Sequence, residues 1–443
     1  MDILSQVAKG MQVILTKTAD ILGRKTGFIK RQRKLSGSSF VQGLVFGWLS
    51  KPDSTLEELC QTTAALGTDI SAPGLSKRFT QKASEFLKKV LESAVEVMIA
   101  NNPVAIPILQ RFNGVSIQDS SIITLPDELA EIWVGCGGSS PVNTSSSLKF
   151  QLRLNLNTGK LLGPYLQSGR DNDRNSQLSK IPFPKGGLRI ADLGYFTLGD
   201  FKQMNSDGIY WLSRIKASCK LYYEDKEWDL VKFLETHCKN EGDELDIQVE
   251  LGLKDRVPCR LMAKRVSDKL AMIRRCKLMS EAKAKGEKVS EKVLRLASWA
   301  ILGCNIPYEL LNMDEAFVLM GTRWQIELLF KLWKSHGKID EWRTENPWRI
   351  MCEVYAKLLA MLIQHWVLLA GCWEYANRSL FKAVKTIQRH AMALACAFAS
   401  GRISRLRESL ETIQRCLSVG CRINKRKKDP STYQLLLAID GGS

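Results

Sequence analysis

The run Arg323-Trp324-Gln325-Ile326-Glu327-Leu328-Leu329-Phe330-Lys331-Leu332-Trp333-Lys334 sets one carboxylate among several cations. In a helix, Arg323, Glu327 and Lys334 stand at i, i+4 and i+11, on one face three turns long. Ile326, Leu329, Phe330 and Trp333 form an apolar stripe that can seat the helix on a core. A carboxylate presented this way suits a metal-binding acid whose substrate is a phosphate backbone. Ordinary four-residue ion pairing on a solvated face accounts for the same spacing. Two upstream segments favour the metal. Val115–Ile123 reads as a strand with Asp119 in its middle, and Leu188–Phe196 as a second short apolar strand carrying Asp192. Acids are depleted in strands, and an unpaired buried carboxylate is costly. Two of them followed by a helical Glu suggest a divalent-ion site. Three carboxylates without His or Cys support suit hard cations, Mg²⁺ or Mn²⁺, rather than zinc.

The elements that must position these residues are legible from periodicity. Residues 110–215 read as a mixed α/β core. Leu148, Phe150, Leu152, Leu154 and Leu156 alternate with Lys149, Gln151, Arg153 and Asn155, a half-buried strand that Asn157-Thr158-Gly159 turns back to Leu161-Leu162. A helix and loop are expected before the Asp192 strand. Between Trp211 and Trp299, the segments 221–223, 245–253 and 258–266 are strand-like and 269–292 is a very basic helix. Beyond Glu327 the pattern is helical, through 348–373 and 378–417. The end, 424–443, opens with Lys425-Arg426-Lys427-Lys428 and reads as a frayed basic tail with one short ordered segment at 433–439.

The first 105 residues read as helical. Ser54-Thr55-Leu56-Glu57 has a capping-box pattern, with Ser54 as N-cap and Glu57 reaching back. That helix stops near Gly67. A second begins at Ser71 and carries Leu75, Phe79, Ala83, Phe86, Leu87 and Val90 at helical period. With Lys77, Arg78 and Lys82 on the second helix, the pair reads as a helix-turn-helix DNA reader, or as a plain helical hairpin with a solvated basic face.

Gln118-Asp119-Ser120-Ser121, Ala191-Asp192-Leu193-Gly194-Tyr195-Phe196 and Arg323-Trp324-Gln325-Ile326-Glu327 together resemble the three acidic motifs of the DDE transposases of the IS-four (insertion sequence four) family. That family also has a Tyr, Arg, Glu, Lys signature. Arg323, Glu327 and Lys334 fit three of its members, and Met320 stands where the Tyr should be. The resemblance runs from about residue 50 to 375. It implies an α/β fold: an RNase H-like catalytic core over 106–375, interrupted by a β-rich insertion at about 217–295, between a helical DNA-binding domain (1–105) and a helical C-terminal region (376–443). It implies that the Asp119 and Asp192 strands are neighbours and that Asp119, Asp192 and Glu327 hold two Mg²⁺ ions, with Mn²⁺ able to substitute. The activity implied is a DNA transposase that cuts terminal inverted repeats and joins them to target DNA, working on double-stranded DNA as a homodimer in the synaptic complex.

The resemblance also assigns contacts. Lys334 reaches phosphate near the scissile bond, Arg323 holds the complementary strand, and Lys331 is a further DNA contact on that helix. Arg214, in the strand-like run 210–215, is a phosphate clamp or a solvent-facing arginine. Trp299 lies 28 residues before Glu327 and matches a base-stacking Trp of relatives, though a Trp before an apolar strand is as often core. Met320 can pack on a base but cannot donate a hydrogen bond to phosphate. Cys304 stands where relatives tend to have Thr before Asn305. Two other readings stay open: a catalytically silent transposase-derived DNA-binding protein, and a structure-selective nuclease on the same fold.

Charge agrees with a nucleic-acid partner. Lys and Arg outnumber Asp and Glu by 64 to 46, a net charge of +18, which implies a polyanion or a membrane surface. Basic residues thicken at 24–34, 260–288 and 422–428, so several surfaces can line a long nucleic acid. A length of 443 residues with 45% hydrophobic and 25% charged residues describes a soluble globular protein of two or three domains. Twelve cysteines without CxxC spacing and only four histidines leave no zinc constellation. Most of the cysteines read as buried thiols in a reducing, bacterial cytoplasm near the nucleoid. The N-terminus lacks a signal pattern. The apolar run 358–372 is too short and too polar to span a bilayer, so no membrane contact is expected.

Overall fold

The computed structural model describes residues 2–31, 34–136, 145–284, 286–424 and 430–439. Ten strands join in one sheet: β1 (Val115–Thr124), β2 (Ser147–Asn155), β3 (Leu161–Ser168), β4 (Leu188–Ala191), β5 (Tyr210–Ser213), β6 (Lys220–Tyr223), β7 (Lys226–Asp229), β8 (Glu244–Leu251), β9 (Val257–Arg265) and β10 (Trp299–Cys304). Their order is β3-β2-β1-β4-β5-β10-β9-β8-β6-β7. β1 pairs antiparallel with β2 and parallel with β4, and β4 pairs parallel with β5. β10 lies antiparallel between β5 and β9, so the strands of the segment between β5 and β10 continue the central sheet. Asn305, just past β10, rivets that join: its Nδ2 donates to the Ile209 carbonyl at 2.8 Å and its Oδ1 accepts the Trp211 amide at 2.8 Å.

Leu148, Phe150, Leu152 and Leu154 face a core in which Phe150 stacks on Trp333 (ring centroids 5.9 Å apart) and meets Phe330 edge-on. That core runs without a break from Leu4 to Leu436, so the terminal helices share it with the sheet. A second, smaller core lies under β6, β8, β9 and helix Leu230–His237. Pro347–Leu369 is long and apolar enough to cross a membrane, but its most apolar window is 100% buried inside the protein. It packs against helices Gln81–Val95 and Gly37–Ser50 and is a core helix. His365 on it donates from Nε2 to the carbonyl of Gly159 at 2.8 Å. Gly159 has φ +72°, and a Cβ there would meet Leu369 and Trp373 within 3 Å, so the β2–β3 turn needs glycine twice over.

Several sequence expectations are corrected. The capping box sits one residue later: Thr55 accepts from the Glu58 amide at 3.3 Å while Glu58 accepts from the Thr55 amide at 2.8 Å. Ser54 instead donates to the Lys51 carbonyl. The helix expected from Ser71 is two, Ala72–Ser76 and Gln81–Val95, with Thr80 capping the second. Lys77 and Arg78 therefore lie in the link between them. β2 is buried on both faces, not one. Its polar face is covered by chain from 171 to 181: Lys149 Nζ donates to the Asp171 carbonyl at 2.6 Å, Gln151 Nε2 to the Asp173 carbonyl at 2.8 Å, and Arg153 to the Leu178 and Ile181 carbonyls, both at 2.9 Å. Alternation marks two environments, and hydrogen bonding lets the second be interior. Between β3 and β4 the described residues form no α-helix, only short 3-10 turns at Asp173–Asn175 and Gln177–Lys180. The basic helix is Asp268–Ala284, followed by a separate Glu291–Leu296. Arg260, the first member of its basic stretch, is buried and paired with Asp246 at 2.5 Å rather than displayed. The short C-terminal segment is a helix, Thr432–Ile439, whereas Lys425-Arg426-Lys427-Lys428 lies outside the described residues.

Candidate active site

β1 and β4 are parallel neighbours with Gln118 opposite Ala191. Asp119 follows Gln118, and Asp192 follows Ala191 as the first residue past β4, capping the turn Leu193–Tyr195. The two acids therefore stand at one level on adjacent strands, Asp119 within β1 and Asp192 just past the end of β4. Glu327 lies in the first turn of helix Trp324–Ser335, which packs on β1 and buries Ile326, Leu329, Phe330 and Trp333. The apolar stripe seats this helix and leaves Glu327 exposed.

Arg323 ties the acids together. Its Nη1 lies 3.5 Å from Asp119 Oδ2 and its Nη2 2.5 Å from Glu327 Oε1. Asp119 is pushed up to about 6. Burial is the main cause, opposed by the Ser120 amide and the Arg323 guanidinium and reinforced by the charges of Asp192 and Glu327. The charges of Asp192 and Glu327 thus both act on Asp119, and Arg323 pairs with two of the three acids. Among the described residues no three His, Cys, Asp or Glu side chains close around an ion position, and the guanidinium stands between two of the acids. The donor set fits a hard cation: carboxylate oxygens in a negative field that a positive group already partly compensates.

Lys334 Nζ donates to the Ile122 carbonyl at 2.6 Å, three residues along β1 from Asp119, and Lys331 is exposed. A groove of about 1130 Å³ opens beside the acids, lined by Leu193 and Met320 and by Arg214, Lys216, Arg274, Lys277 and Lys292. Arg214 is exposed just past β5. Burial, and then the charge of Arg214, hold the Arg274 guanidinium below its usual range, so these two lining cations are near enough to repel. Trp299 lines the groove but is only 7% exposed. Its Nε1 donates to the Cys238 carbonyl at 2.7 Å, and its own carbonyl accepts from Arg274 at 3.1 Å. Cys304 is fully buried, its thiol pushed up to about 11 by that burial. Lys77 and Arg78 are exposed, and no hydrogen bond or ion pair among the described residues joins them to the acids.

Sequence reasoning missed two supports of the site. One is Asn305. The other is Asp173, which Lys149 holds at 3.1 Å from beneath the sheet. The turn Asp173–Asn175 touches the turn Leu193–Tyr195, so the polar face of β2 braces the segment that presents Asp192. The alternation of Lys149, Gln151 and Arg153 was its visible signal, read as a solvent face.

Residues 111–363 match the family model described as the transposase DDE domain. The chain is 32% identical over 363 residues to the transposase for insertion sequence element IS231B of Bacillus thuringiensis subsp. berliner, covering 77% of this chain and 75% of that protein. It is 31% identical over 365 residues to the transposase for IS231C of the same subspecies, with the same coverage. Against the transposase for IS1151 of Clostridium perfringens the identity is 26% over 367 residues, 77% of this chain and 76% of that protein. Matched across its central sheet and through most of its length, the chain belongs to the DDE transposases of the IS-four insertion-sequence type and is a DNA transposase.

Proposed function

We propose that this transposase cuts the terminal inverted repeats of an insertion element and joins them to target DNA, with Asp119, Asp192 and Glu327 as its metal-binding acids. What supports this reading is that Asp119 and Asp192 stand at one level on parallel neighbouring strands, that Arg323 links Asp119 to Glu327, and that the charges of Asp192 and Glu327 both act on Asp119. The order β3-β2-β1-β4-β5, with β1, β4 and β5 parallel, supports an RNase H-like core at 106–375 carrying a β-rich insertion at about 217–295. Helical regions at 1–105 and 376–443 flank it.

Membership in the family implies a divalent metal; Mg²⁺ is the ion of choice, with Mn²⁺ as its substitute. Bound by these oxygens, it supplies Lewis-acid stabilisation of charge on the phosphoryl group. The protein's own groups do the rest. Arg323 is the cation that gives way or turns to a DNA strand when the acids are otherwise neutralised. Lys334 and Lys331 hold phosphate beside the scissile bond. Arg214, with Lys216, Arg274 and Lys277, grips the backbone along the groove, whose apolar floor at Met320 and Trp299 receives an unstacked base. Met320 offers that base a surface and no hydrogen bond to phosphate. Lys77 and Arg78 contact duplex DNA from the N-terminal helices, and the synaptic complex is a homodimer acting at the bacterial nucleoid in the cytoplasm. A silent DNA-binding protein is disfavoured by three intact acids.

The test incubates the protein with its own flanking repeats, a target plasmid and Mg²⁺. Cut ends joined to the plasmid are the expected outcome. Binding without nicking returns the silent reading, and nicking without joining returns the nuclease. Binding should also weaken steeply with salt, log affinity falling against log salt by about 0.9 per phosphate contacted.

A further inference from the structure

Trp299 also borders a second cavity. It measures about 250 Å³ and is walled by Lys239, Arg265, Arg275, Arg295, Glu235 and Ser298. Four cations therefore face a single carboxylate. Arg265 is held by the Val266 and Ser298 carbonyls at 2.8 and 3.2 Å, and Arg275 by the Leu294 carbonyl at 3.0 Å and Ser298 Oγ at 2.6 Å. These clamps are neutral. They orient the guanidiniums, and Arg275 has no ion-pair partner among the described residues. Arg295 takes up Glu235, and the acid that pairs with Arg265, Asp268, is 82% exposed at the rim. Lys239 is exposed on the chain after helix Leu230–His237 and has no hydrogen-bond or ion-pair partner among the described residues.

A small polar hollow with fixed guanidiniums and a spare ammonium is built for a compact oxyanion. Apart from Trp299 it has no apolar wall, which suits a phosphate group better than a nucleobase. We infer that this cavity is a second phosphate site, holding one backbone phosphodiester of duplex DNA beside Trp299 and apart from the acids, none of which lines it. The inference rests on the proposed function, because it takes the DNA to lie along the groove that Trp299 also lines. It adds a contact in the segment between β5 and β10 that fixes the strand's path away from the reacting phosphate, with Lys239 as the mobile donor and Arg275 and Arg265 as the rigid ones.

The test is a salt titration of binding to two duplexes, one carrying the element's own terminal repeat and one unrelated, for wild type, Lys239→Gln and Lys239→Arg. Lys239 is exposed, so neither variant disturbs folding. The expected result is that Lys239→Gln lowers the slope of log affinity against log salt by about 0.9, the loss of one phosphate contact, and that Lys239→Arg keeps it. Loss with the repeat alone identifies the phosphate as the element's; loss with both duplexes identifies it as any DNA backbone. A second arm neutralises single phosphates as methylphosphonates: one position should weaken wild-type binding and leave Lys239→Gln unaffected. An unchanged slope on both duplexes, with no such position, overturns the inference. A wild-type slope near zero would instead overturn the DNA reading of the groove itself.

Discussion

The acid-bearing part of the molecule and the segment between β5 and β10 are built to different tolerances. Around the acids, one continuous core gathers side chains from the first helix to the last, and the Glu327 helix is nailed down by Ile326, Phe330 and Trp333. Between β5 and β10, helix Asp268–Ala284 buries only Ala271 and leaves Met272 65% and Ile273 56% exposed. Yet that loosely seated helix supplies Arg274 and Lys277 to the groove. Chemistry at phosphorus needs carboxylates held to a fraction of an ångström, whereas gripping a backbone needs charge that can follow a moving strand. Elements that adjust to ligands come from the least stably packed part of a fold.

The largest effects should fall on the rigid side and on chemistry alone. Asp119→Ala, Asp192→Ala and Glu327→Ala should each abolish strand cleavage in Mg²⁺ while binding to end DNA, followed by anisotropy, stays near wild type, because affinity comes from cations. Any one of them cleaving normally would remove that residue from the site. Next comes packing. Trp333→Ala should cost about 3–5 kcal/mol of stability and take every activity down together. Trp299 borders both regions. Because its ring is buried and its N–H is bonded in the smaller core, Trp299→Ala should also lower the melting temperature, by an amount corresponding to about 3 kcal/mol. If it also stacks on a base, the ratio of nicked to fully cut ends will change at temperatures where the variant is folded. An unchanged ratio makes it core only.

A pH titration separates the two regions further. Burial drives His365, inside the main core, down to about 4. The unfolded chain takes up a proton near 6.5 that the folded chain refuses, so stability contributed by the neutral ring is present above about 6.5 and is lost as pH falls toward 4. His365→Gln, whose amide can still donate to the Gly159 carbonyl, should flatten that acid limb by up to about 3 kcal/mol in denaturant melts. An identical limb in the variant would place the titrating group elsewhere. The smallest effect belongs to the loose helix: Met272→Ala should shift stability by no more than about 0.5 kcal/mol. A larger shift in the free protein would mean that this helix is packed after all.

Much of the site was legible because its motifs are local. Asp119, Asp192, Arg323, Glu327 and Lys334 could each be read from a few neighbours, and a four-residue spacing on a helix guarantees a shared face whatever the fold. Where the reading slipped, two local choices were nearly equivalent. Thr55 caps as well as Ser54, and Glu57 and Glu58 are both available to reach back, so register alone could not choose between them. The break between Ser76 and Gln81 hid because Leu75, Phe79 and Ala83 all face the core across it and preserve the apolar period.

What the sequence determined by itself was residue chemistry and periodicity: three acids in motifs like those of the family, a strong excess of basic residues, a seated helix with its carboxylate outward, and strands between Trp211 and Trp299. Those follow from residue type and from interactions within a few positions along the chain. Tertiary structure alone decided that Asp119 and Asp192 stand at one level on adjacent strands, that Arg323 stands between Asp119 and Glu327, and that the polar face of β2 is interior, closed by a strap from 171 to 181. It also decided that two cavities share Trp299 as a wall. Each of these depends on pairing between residues far apart in sequence, and strand alternation says that two faces differ without saying what covers either one.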